Sequence, residues 1–250
     1  MANVKDKVVI VTGAGQGVGR GIALALAKEG AKVVIADVNL ETAEATAQEI
    51  HQLGGEALAL VCDVSKEAQV KKMVAEAVKK FGPVDVLVNN AQRVPPRLPA
   101  EDGTDEWWDA CFETGPRATW YCCKAVFPHM KDRGGKIINL GSRAGIVGVG
   151  DPAYAGCKEA IRGFSRSIAR EWGKYNITVN IMCPAAITPA LEAWEKQYPD
   201  KAKKYLEDRP IPRWGDPEKD MGRTVVFLAS SDADFITGQT IMVAGGDHMF

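Results

Sequence analysis

The chain has 250 residues, of which 46% are hydrophobic and 25% charged, and such fractions exclude a chain that is disordered as a whole. Lysine and arginine number 31 and aspartate and glutamate 32, so the formal net charge is −1. This balance argues against a general nucleic-acid binder, because such proteins normally carry a basic excess. No apolar run approaches the roughly 18 residues that a membrane span needs, and the N-terminus lacks the apolar core of a signal peptide. We therefore expect a cytoplasmic protein without nucleic-acid or membrane partners.

Seven short apolar runs, rich in valine and isoleucine, predict the strands of the fold. They cover residues 8–11, 33–36, 57–61, 84–88, 136–140, 177–182 and 240–243. We interpret the runs as largely apolar on both faces rather than alternating, which is typical of buried parallel strands.

Helical patterns separate these runs. Residues 40–53 and 153–172 are predicted helices, and residues 70–81 carry apolar side chains at the spacing of one helix face. Strand and helix alternate about every 25–30 residues, the size of a βαβ unit. The pattern predicts a single doubly wound Rossmann-like domain over residues 1–250, with a seven-stranded, mostly parallel sheet flanked by helices on both faces.

Residues 188–215 form the least regular part of the chain. They carry Trp194, Tyr198, Tyr205 and Trp214. Long insertions of this kind are often functional loops, so we expect a loop that covers a substrate site at the carboxyl ends of the strands.

A glycine-rich turn joins the first strand to the first helix, with the spacing G-x-x-x-G-x-G over residues 13–19. Glycines allow a tight turn there and let a pyrophosphate approach the free N–H groups of the helix N-terminus. The position of the turn predicts a nucleotide site, although glycines also occur in such turns for packing reasons.

Asp37 closes the second strand, 18 residues after Gly19. A carboxylate at this point can accept hydrogen bonds from both adenosine ribose hydroxyls and would repel a 2′-phosphate. Val38 follows it, and Gln16 in the glycine turn is uncharged. The sequence therefore favours NAD over NADP, the alternative being that Asp37 only caps the next helix.

Tyr154 and Lys158 lie four residues apart at the start of a predicted helix, and Ser142 lies just past the end of the fifth strand. Residues at this spacing share one helix face. A nearby ammonium group favours the phenolate form of a tyrosine, which can then act as a general base toward an alcohol, or as an acid toward a ketone. Ser142 would hold the substrate oxygen as charge develops on it.

Together these residues resemble the short-chain dehydrogenase/reductase family, in the branch whose chains have this length, and the resemblance covers essentially the whole sequence. It implies that Ser142, Tyr154 and Lys158 are the catalytic residues. It also implies a cofactor site, to which Tyr154 and Lys158 contribute, made of Gly13, Gln16, Gly17, Val18, Gly19, Asp37, Asp63, Val64, Asn90, Ala91, Pro184, Ile187 and Thr188.

Three positions depart from the family pattern. The family motif N-N-A-G ends here in Gln92, and Gly115 stands where the family has an asparagine that supports a bent helix and a proton relay to the lysine. Residues 184–188 resemble the proline-led motif of the family, in which Ala185 replaces the usual glycine. None of these departures removes the tyrosine base.

The resemblance implies hydride transfer between a nicotinamide ring and a carbinol carbon, without a metal. We expect an NAD-dependent oxidoreductase that interconverts a secondary alcohol and a ketone, acting on a small molecule and forming a homotetramer. The alternatives are an NADPH-dependent biosynthetic ketoreductase and a nucleotide-sensing binding protein on the same fold. Arg143 is a candidate for binding a substrate anion and Trp194 for lining an apolar pocket.

The six cysteines are Cys62, Cys111, Cys122, Cys123, Cys157 and Cys183. No pair has the C-x-x-C spacing, and the three histidines are scattered. A zinc site would need clustered ligands. We therefore expect free buried thiols in a reducing compartment.

Overall fold

A computed structural model describes residues 3–247 and 249. Seven strands form one sheet in the order β3-β2-β1-β4-β5-β6-β7, and every neighbouring pair is parallel. All seven predicted strands are confirmed, and the sheet is entirely rather than mostly parallel. The strands are β1 (Val8–Thr12), β2 (Lys32–Asp37), β3 (Glu56–Val61), β4 (Val86–Asn89), β5 (Gly135–Leu140), β6 (Ile177–Pro184) and β7 (Thr240–Val243).

Ten α-helices connect the described strands. They are α1 (Gly17–Lys28), α2 (Leu40–Gln52), α3 (Glu67–Phe81), α4 (Asp105–Phe112), α5 (Ala118–Met130), α6 (Arg143–Val147), α7 (Pro152–Trp172), α8 (Pro189–Gln197), α9 (Pro199–Glu207) and α10 (Arg223–Ala229). Short 3₁₀ helices cover Ala100–Asp102, Gly173–Tyr175 and Ser231–Ala233, and π-helical turns cover Glu113–Arg117 and Pro217–Gly222.

The apolar strands build a separate core on each face of the sheet. Val9 and Val11 belong to the core under α1, α2 and α10, whereas Ile10 belongs to the core under α3, α5 and α7. All three side chains are fully buried. A strand in this position has no solvent-facing side, which explains its continuous apolar sequence.

The sheet order reverses at β1, which lies between β2 and β4. The connections leave β1 and β4 toward opposite sides, so a crevice opens at the carboxyl ends of these two strands. Ligands of doubly wound folds bind at such a point.

Residues 188–215 are largely helical, and the expectation of an irregular loop was wrong in this respect. Proline occupies the first position of both α8 and α9, and the Thr188 hydroxyl caps α8 by accepting a hydrogen bond from the Leu191 N–H. Proline at a helix start costs no hydrogen bond, so these prolines begin helices.

All six cysteines are buried and free, as predicted. Among the described residues, no helix combines the length and apolar character that a membrane crossing requires.

Candidate active site

The turn after β1 is built so that only glycine fits at two of its positions. Gly13 has a φ of +63°, and a Cβ atom there would lie 2.8 Å from the Cα atom of Ala91. A Cβ atom at Gly19 would collide with the carbonyl oxygen of Gly13. The chain therefore turns tightly into α1 and leaves the N-terminus of that helix open to a ligand.

Asn90 and Thr12 tie this turn to the end of β4. The Asn90 side-chain amide donates to the carbonyl oxygens of Thr12 and Gly13, at 2.8 and 2.9 Å. The Thr12 hydroxyl oxygen accepts from the backbone N–H groups of Asn90 and Ala91, at 3.0 and 3.1 Å. The glycine turn and the motif after β4 thus form one rigid unit at the crevice.

A cleft of about 710 Å³ lies at this end of the sheet. Many of the predicted cofactor residues line it: Gly13, Gln16, Val18, Gly19, Asp37, Asp63, Val64, Asn90, Ala91 and Thr188. The other predicted cofactor residues, namely Gly17, Tyr154, Lys158, Pro184 and Ile187, are not among its lining residues.

The cleft is also lined by residues that the sequence analysis did not predict for it: Val38, Cys62, Ser65, Lys66, Gln92, Arg93, Ala110, Glu113 and Thr114. Most of these lie within a few positions of the carboxyl end of β2, β3 or β4. Closeness to a strand end was the only sequence signal that could have identified them.

Asp37 is held in place by the turn it faces. One carboxylate oxygen accepts from the Gly15 N–H at 2.9 Å, and the other accepts from the Asn39 N–H at 3.1 Å. The capping residue of α2 is Asn39, whose side chain accepts from Glu41 and Thr42. The alternative interpretation of Asp37 as the helix cap was therefore wrong.

Asp63 lies across the cleft, after β3. Its carboxylate accepts from both the N–H and the hydroxyl of Ser65, at 3.0 and 2.7 Å. The Asp63 N–H donates to the Gln69 side chain at 2.8 Å. These bonds fix the loop that carries Asp63 and Val64 along the cleft wall.

Tyr154 and Lys158 lie in the first turns of α7. Asp151 caps this helix by accepting from the Tyr154 N–H at 2.9 Å, and Pro152 occupies its first position. The Lys158 ammonium group donates to the Leu140 carbonyl at the end of β5, at 2.8 Å, and lies 5.5 Å from the centre of the Tyr154 ring. Lys158 is only 4% exposed, so bulk water screens its charge weakly.

Ser142 caps the start of α6, because its hydroxyl oxygen accepts a hydrogen bond from the Ala144 N–H at 3.1 Å. This bond uses the oxygen as acceptor and leaves the hydroxyl hydrogen available as a donor. A Cβ atom at Gly145 would lie 3.0 Å from the Ala155 carbonyl and from the Glu159 nitrogen. The small residue therefore lets α6 pack directly on the turns of α7 that carry Tyr154 and Lys158.

A buried polar chain fixes α7 on the sheet. The Asn89 amide donates to the Asn139 side-chain oxygen at 2.8 Å, and the Asn139 amide donates to the Ser165 hydroxyl at 2.8 Å. Ser165 in turn donates to the Ile161 carbonyl at 2.7 Å. Satisfied buried networks hold their elements in a single arrangement.

The proline motif, residues 184–188, runs from the end of β6 toward the cleft. The Ile187 N–H donates to Gly215 at 2.9 Å, and the Gly215 N–H donates to Ala185 at 3.0 Å. These bonds fix the direction in which the chain leaves Pro184, the last residue of β6, and Thr188 then lines the cleft.

Arg143 and Trp194, the predicted substrate residues, have protein partners in this structure. Arg143 forms an ion pair of 2.8 Å with Asp247, whose carboxylate also accepts from the Tyr205 hydroxyl at 3.1 Å. The Trp194 ring lies 6.2 Å from the ring of Tyr198. Substrate binding by Arg143 and Trp194 stays a prediction.

Two of the departures from the family pattern, Gln92 and Gly115, are in contact. A Cβ atom at Gly115 would lie 3.0 Å from the Gln92 side-chain oxygen. The Gln92 amide nitrogen donates to the Cys111 carbonyl at 3.0 Å. The amide side chain of this region thus comes from the loop after β4 and not from the helix.

Known proteins resemble this chain over almost its full length. Residues 13–248 match the family described as enoyl-(acyl carrier protein) reductase. The chain is 41% identical to a 12α-hydroxysteroid dehydrogenase of a Clostridium species, over 96% of each chain. It is 39% identical to a 3-oxoacyl-(acyl-carrier-protein) reductase of Staphylococcus epidermidis, over 98% of this chain and all of that one.

Solved structures agree with these relatives. A 7α-hydroxysteroid dehydrogenase in complex with NADH and 7-oxo glycochenodeoxycholic acid superposes with a TM-score of 0.91 at 34% identity. The match covers 98% of this chain and 95% of that one. Levodione reductase superposes with the same TM-score at 32% identity, over 97% of each chain.

The chain belongs to the short-chain dehydrogenase/reductase family. It is an NAD(P)-dependent oxidoreductase that interconverts secondary alcohols and ketones.

Proposed function

We propose that the protein uses NAD to interconvert a secondary alcohol and a ketone, with Tyr154 as the general base or acid. The observation that carries this proposal is the buried Lys158 ammonium group beside the Tyr154 ring at the carboxyl end of β5. This places a fixed cation beside the phenol that exchanges a proton with the substrate in the proposal. Tyr154 can then accept the carbinol proton during oxidation and return it during reduction.

Ser142 holds the reacting oxygen in this proposal. Its own oxygen is engaged by the Ala144 N–H, which supports a fixed side-chain position with the hydroxyl hydrogen directed elsewhere. The hydroxyl therefore donates to the substrate oxygen and stabilises negative charge as it develops there.

The cleft fits a dinucleotide. Its glycine turn has no space for side chains at Gly13 and Gly19, and α1 begins at Gly17, where its first N–H groups lack acceptors within the helix. These features favour a pyrophosphate, with Asp63 and Val64 toward the adenine and Thr188 toward the nicotinamide. When bound, the nicotinamide ring supplies a carbon that accepts or donates a hydride.

Asp37 supports NAD as the particular cofactor, because a fixed carboxylate can bind ribose hydroxyls and would repel a 2′-phosphate. The NADPH-dependent ketoreductase is the second candidate. It is favoured by the acyl-carrier-protein reductase relative and by the positive charges of Lys66 and Arg93 on the cleft wall.

Hydroxysteroids are the first substrates to test, since two of the matched proteins are hydroxysteroid dehydrogenases. Cholate, which carries a 12α-hydroxyl group, should be oxidised with formation of NADH. Simple secondary alcohols, sugars and acyl-CoA alcohols complete the panel, and NADH fluorescence reports turnover.

The role of Tyr154 is tested with Tyr154→Phe. We expect the variant to lose about 10²- to 10⁴-fold in kcat, because the general base is removed, while NADH binding measured by fluorescence titration stays within about twofold. Tyr175→Phe is the matched control, since Tyr175 lies beyond the far end of α7 and packs against Phe127.

A Tyr154→Phe variant that kept most of its activity would show that the base is another group. Tight NAD binding by the parent protein without turnover on any compound of the panel would favour the nucleotide-sensing alternative.

A further inference from the structure

Gln92 joins the bend between α4 and α5 to the helix that carries Tyr154 and Lys158. Its amide nitrogen donates to the Cys111 carbonyl at 3.0 Å and lies 3.3 Å from the Thr114 hydroxyl oxygen. Its amide oxygen lies 3.6 Å from the Cys157 sulfur, within range of a thiol hydrogen bond. A single side chain therefore has polar partners on both elements.

The chain at Gly115 makes space for this side chain. Gly115 has non-helical torsion angles (φ −93°, ψ −105°), and Pro116 follows it in a widened π-helical turn. A Cβ atom at Gly115 would collide with the Cys157 sulfur, in addition to its close approach to Gln92. Position 115 therefore has no space for a side chain while the Gln92 amide and the Cys157 thiol occupy this volume.

Cys157 transmits this contact to the catalytic residues. It immediately precedes Lys158 on α7 and is fully buried. Burial raises the pKa of its thiol to about 11, so the thiol is protonated and can donate at neutral pH. It also approaches the Cys111 carbonyl at 3.3 Å, so the same carbonyl contacts both Gln92 and Cys157.

We propose that Gln92 is a positioning residue, whose amide holds the α4–α5 bend against the first turns of α7 and so fixes Tyr154 and Lys158 relative to the cleft. The proposal rests on the proposed function, in which these two residues carry the proton transfer. In the family pattern, glycine stands at the position of Gln92, before the bend, and asparagine stands at the position of Gly115, within the bend. This chain has the opposite arrangement, with the amide side chain at position 92 and glycine at position 115.

Two variants separate this role from simple space filling. Gln92→Met keeps the length and approximate volume of the side chain but can neither donate to Cys111 nor accept from Cys157. Gln92→Gly removes the side chain altogether. Gln239→Met is the matched control, because the Gln239 amide also donates to a backbone carbonyl, that of Thr237, but at the exposed start of β7.

With cholate and NAD, Gln92→Met should lower kcat about 10- to 100-fold, since small displacements of catalytic groups have effects of this size. The KM for NAD and the dissociation constant for NADH should stay within about twofold, because none of the predicted cofactor residues is changed. Gln92→Gly should lower kcat at least as much as Gln92→Met, because it removes the same polar contacts and also leaves their space empty. Wild-type kcat in Gln92→Met would overturn the proposal.

Hydrogen exchange provides a readout that does not depend on turnover. In Gln92→Met, peptides covering residues 111–117 and 152–161 should exchange at least about tenfold faster than in the parent, while α10 is unchanged. Unchanged exchange in both peptides would refute the role of Gln92, whereas a parent protein without alcohol-dependent turnover would instead refute the proposed function.

Discussion

Asp37 is the residue on which the choice between NAD and NADP depends. Its carboxylate is fixed by the Gly15 and Asn39 N–H groups, so it cannot easily turn away from a ligand at the end of β2. A charge-assisted hydrogen bond contributes about 1.5–3 kcal/mol, and about 1.4 kcal/mol corresponds to a tenfold change in affinity.

We expect Asp37→Ala to reduce the NAD-to-NADP ratio of kcat/KM by at least about tenfold. Asp37→Asn is the matched control, because it removes the charge but keeps one acceptor oxygen and nearly the same volume. A parent protein that preferred NADPH, or an unchanged ratio in Asp37→Ala, would contradict the assignment of NAD. The measurement is steady-state kinetics with both cofactors on one substrate.

The sequence predicted individual site residues where a motif marked them. The glycine turn, Asp63 and the motif after β4 were all identified in this way, and the structure brings them to one cleft. Glu113 and Thr114 line the same cleft without belonging to any motif. The contact between Gln92 and Gly115 could not be predicted, because positions distant in sequence meet there only after the α4–α5 bend has formed.

At the scale of elements, the stability of α7 depends on Asp151, the residue that caps its start. Asp151 accepts from the Tyr154 N–H at the helix start and from the Trp107 indole N–H at 3.1 Å, and it is only 7% exposed. Asp151→Ala removes the cap and leaves a buried indole donor without its acceptor. Loss of a cap costs about 1 kcal/mol of stability, and an unsatisfied buried donor costs about 1–3 kcal/mol more.

Asp151→Ala should therefore lower the free energy of unfolding by about 2–4 kcal/mol, measured by urea denaturation at one fixed protein concentration. Asn39→Ala is the control, because Asn39 caps the exposed start of α2 and has no buried second partner. This variant should lose only about 1 kcal/mol. Equal losses in the two variants would show that the Trp107 contact adds nothing.

The elements themselves were predictable to different degrees. Strands inside a covered sheet are mostly apolar, so β1 to β7 are visible as apolar runs, although buried polar residues such as Asn139 and Asn180 interrupt some of them. The helices α8 and α9 were missed because each has only nine residues and α9 is mostly charged, so neither shows a long apolar stripe. The residues that mark their N-termini, Thr188, Pro189 and Pro199, were present in the sequence.

At the scale of the whole molecule, we propose a homotetramer. The outer surfaces of α4 and α5 expose Trp108 and Trp120, at 45% and 46% of their area, and exposed aromatic residues are enriched at protein interfaces. Light scattering should give four times the mass of one chain. The mass of a single chain would contradict this prediction.

The burial of all six cysteines has a consequence for the chemical durability of the protein. Burial raises the pKa of every one of these thiols, for Cys62 and Cys183 to about 11 and for Cys123 to about 12. Alkylating agents and peroxide attack thiolates, so we expect the six cysteines of the native chain to resist both near neutral pH without an added reductant.

The same burial makes the fold sensitive to alkali. Thiols of the unfolded chain have a pKa of about 8.5, whereas the thiols of the folded chain keep their protons to higher pH. As the pH rises through this interval, the unfolded state loses protons first and gains in relative stability. Each thiolate that then forms by local opening is a nucleophile in a chain whose cysteines are otherwise buried.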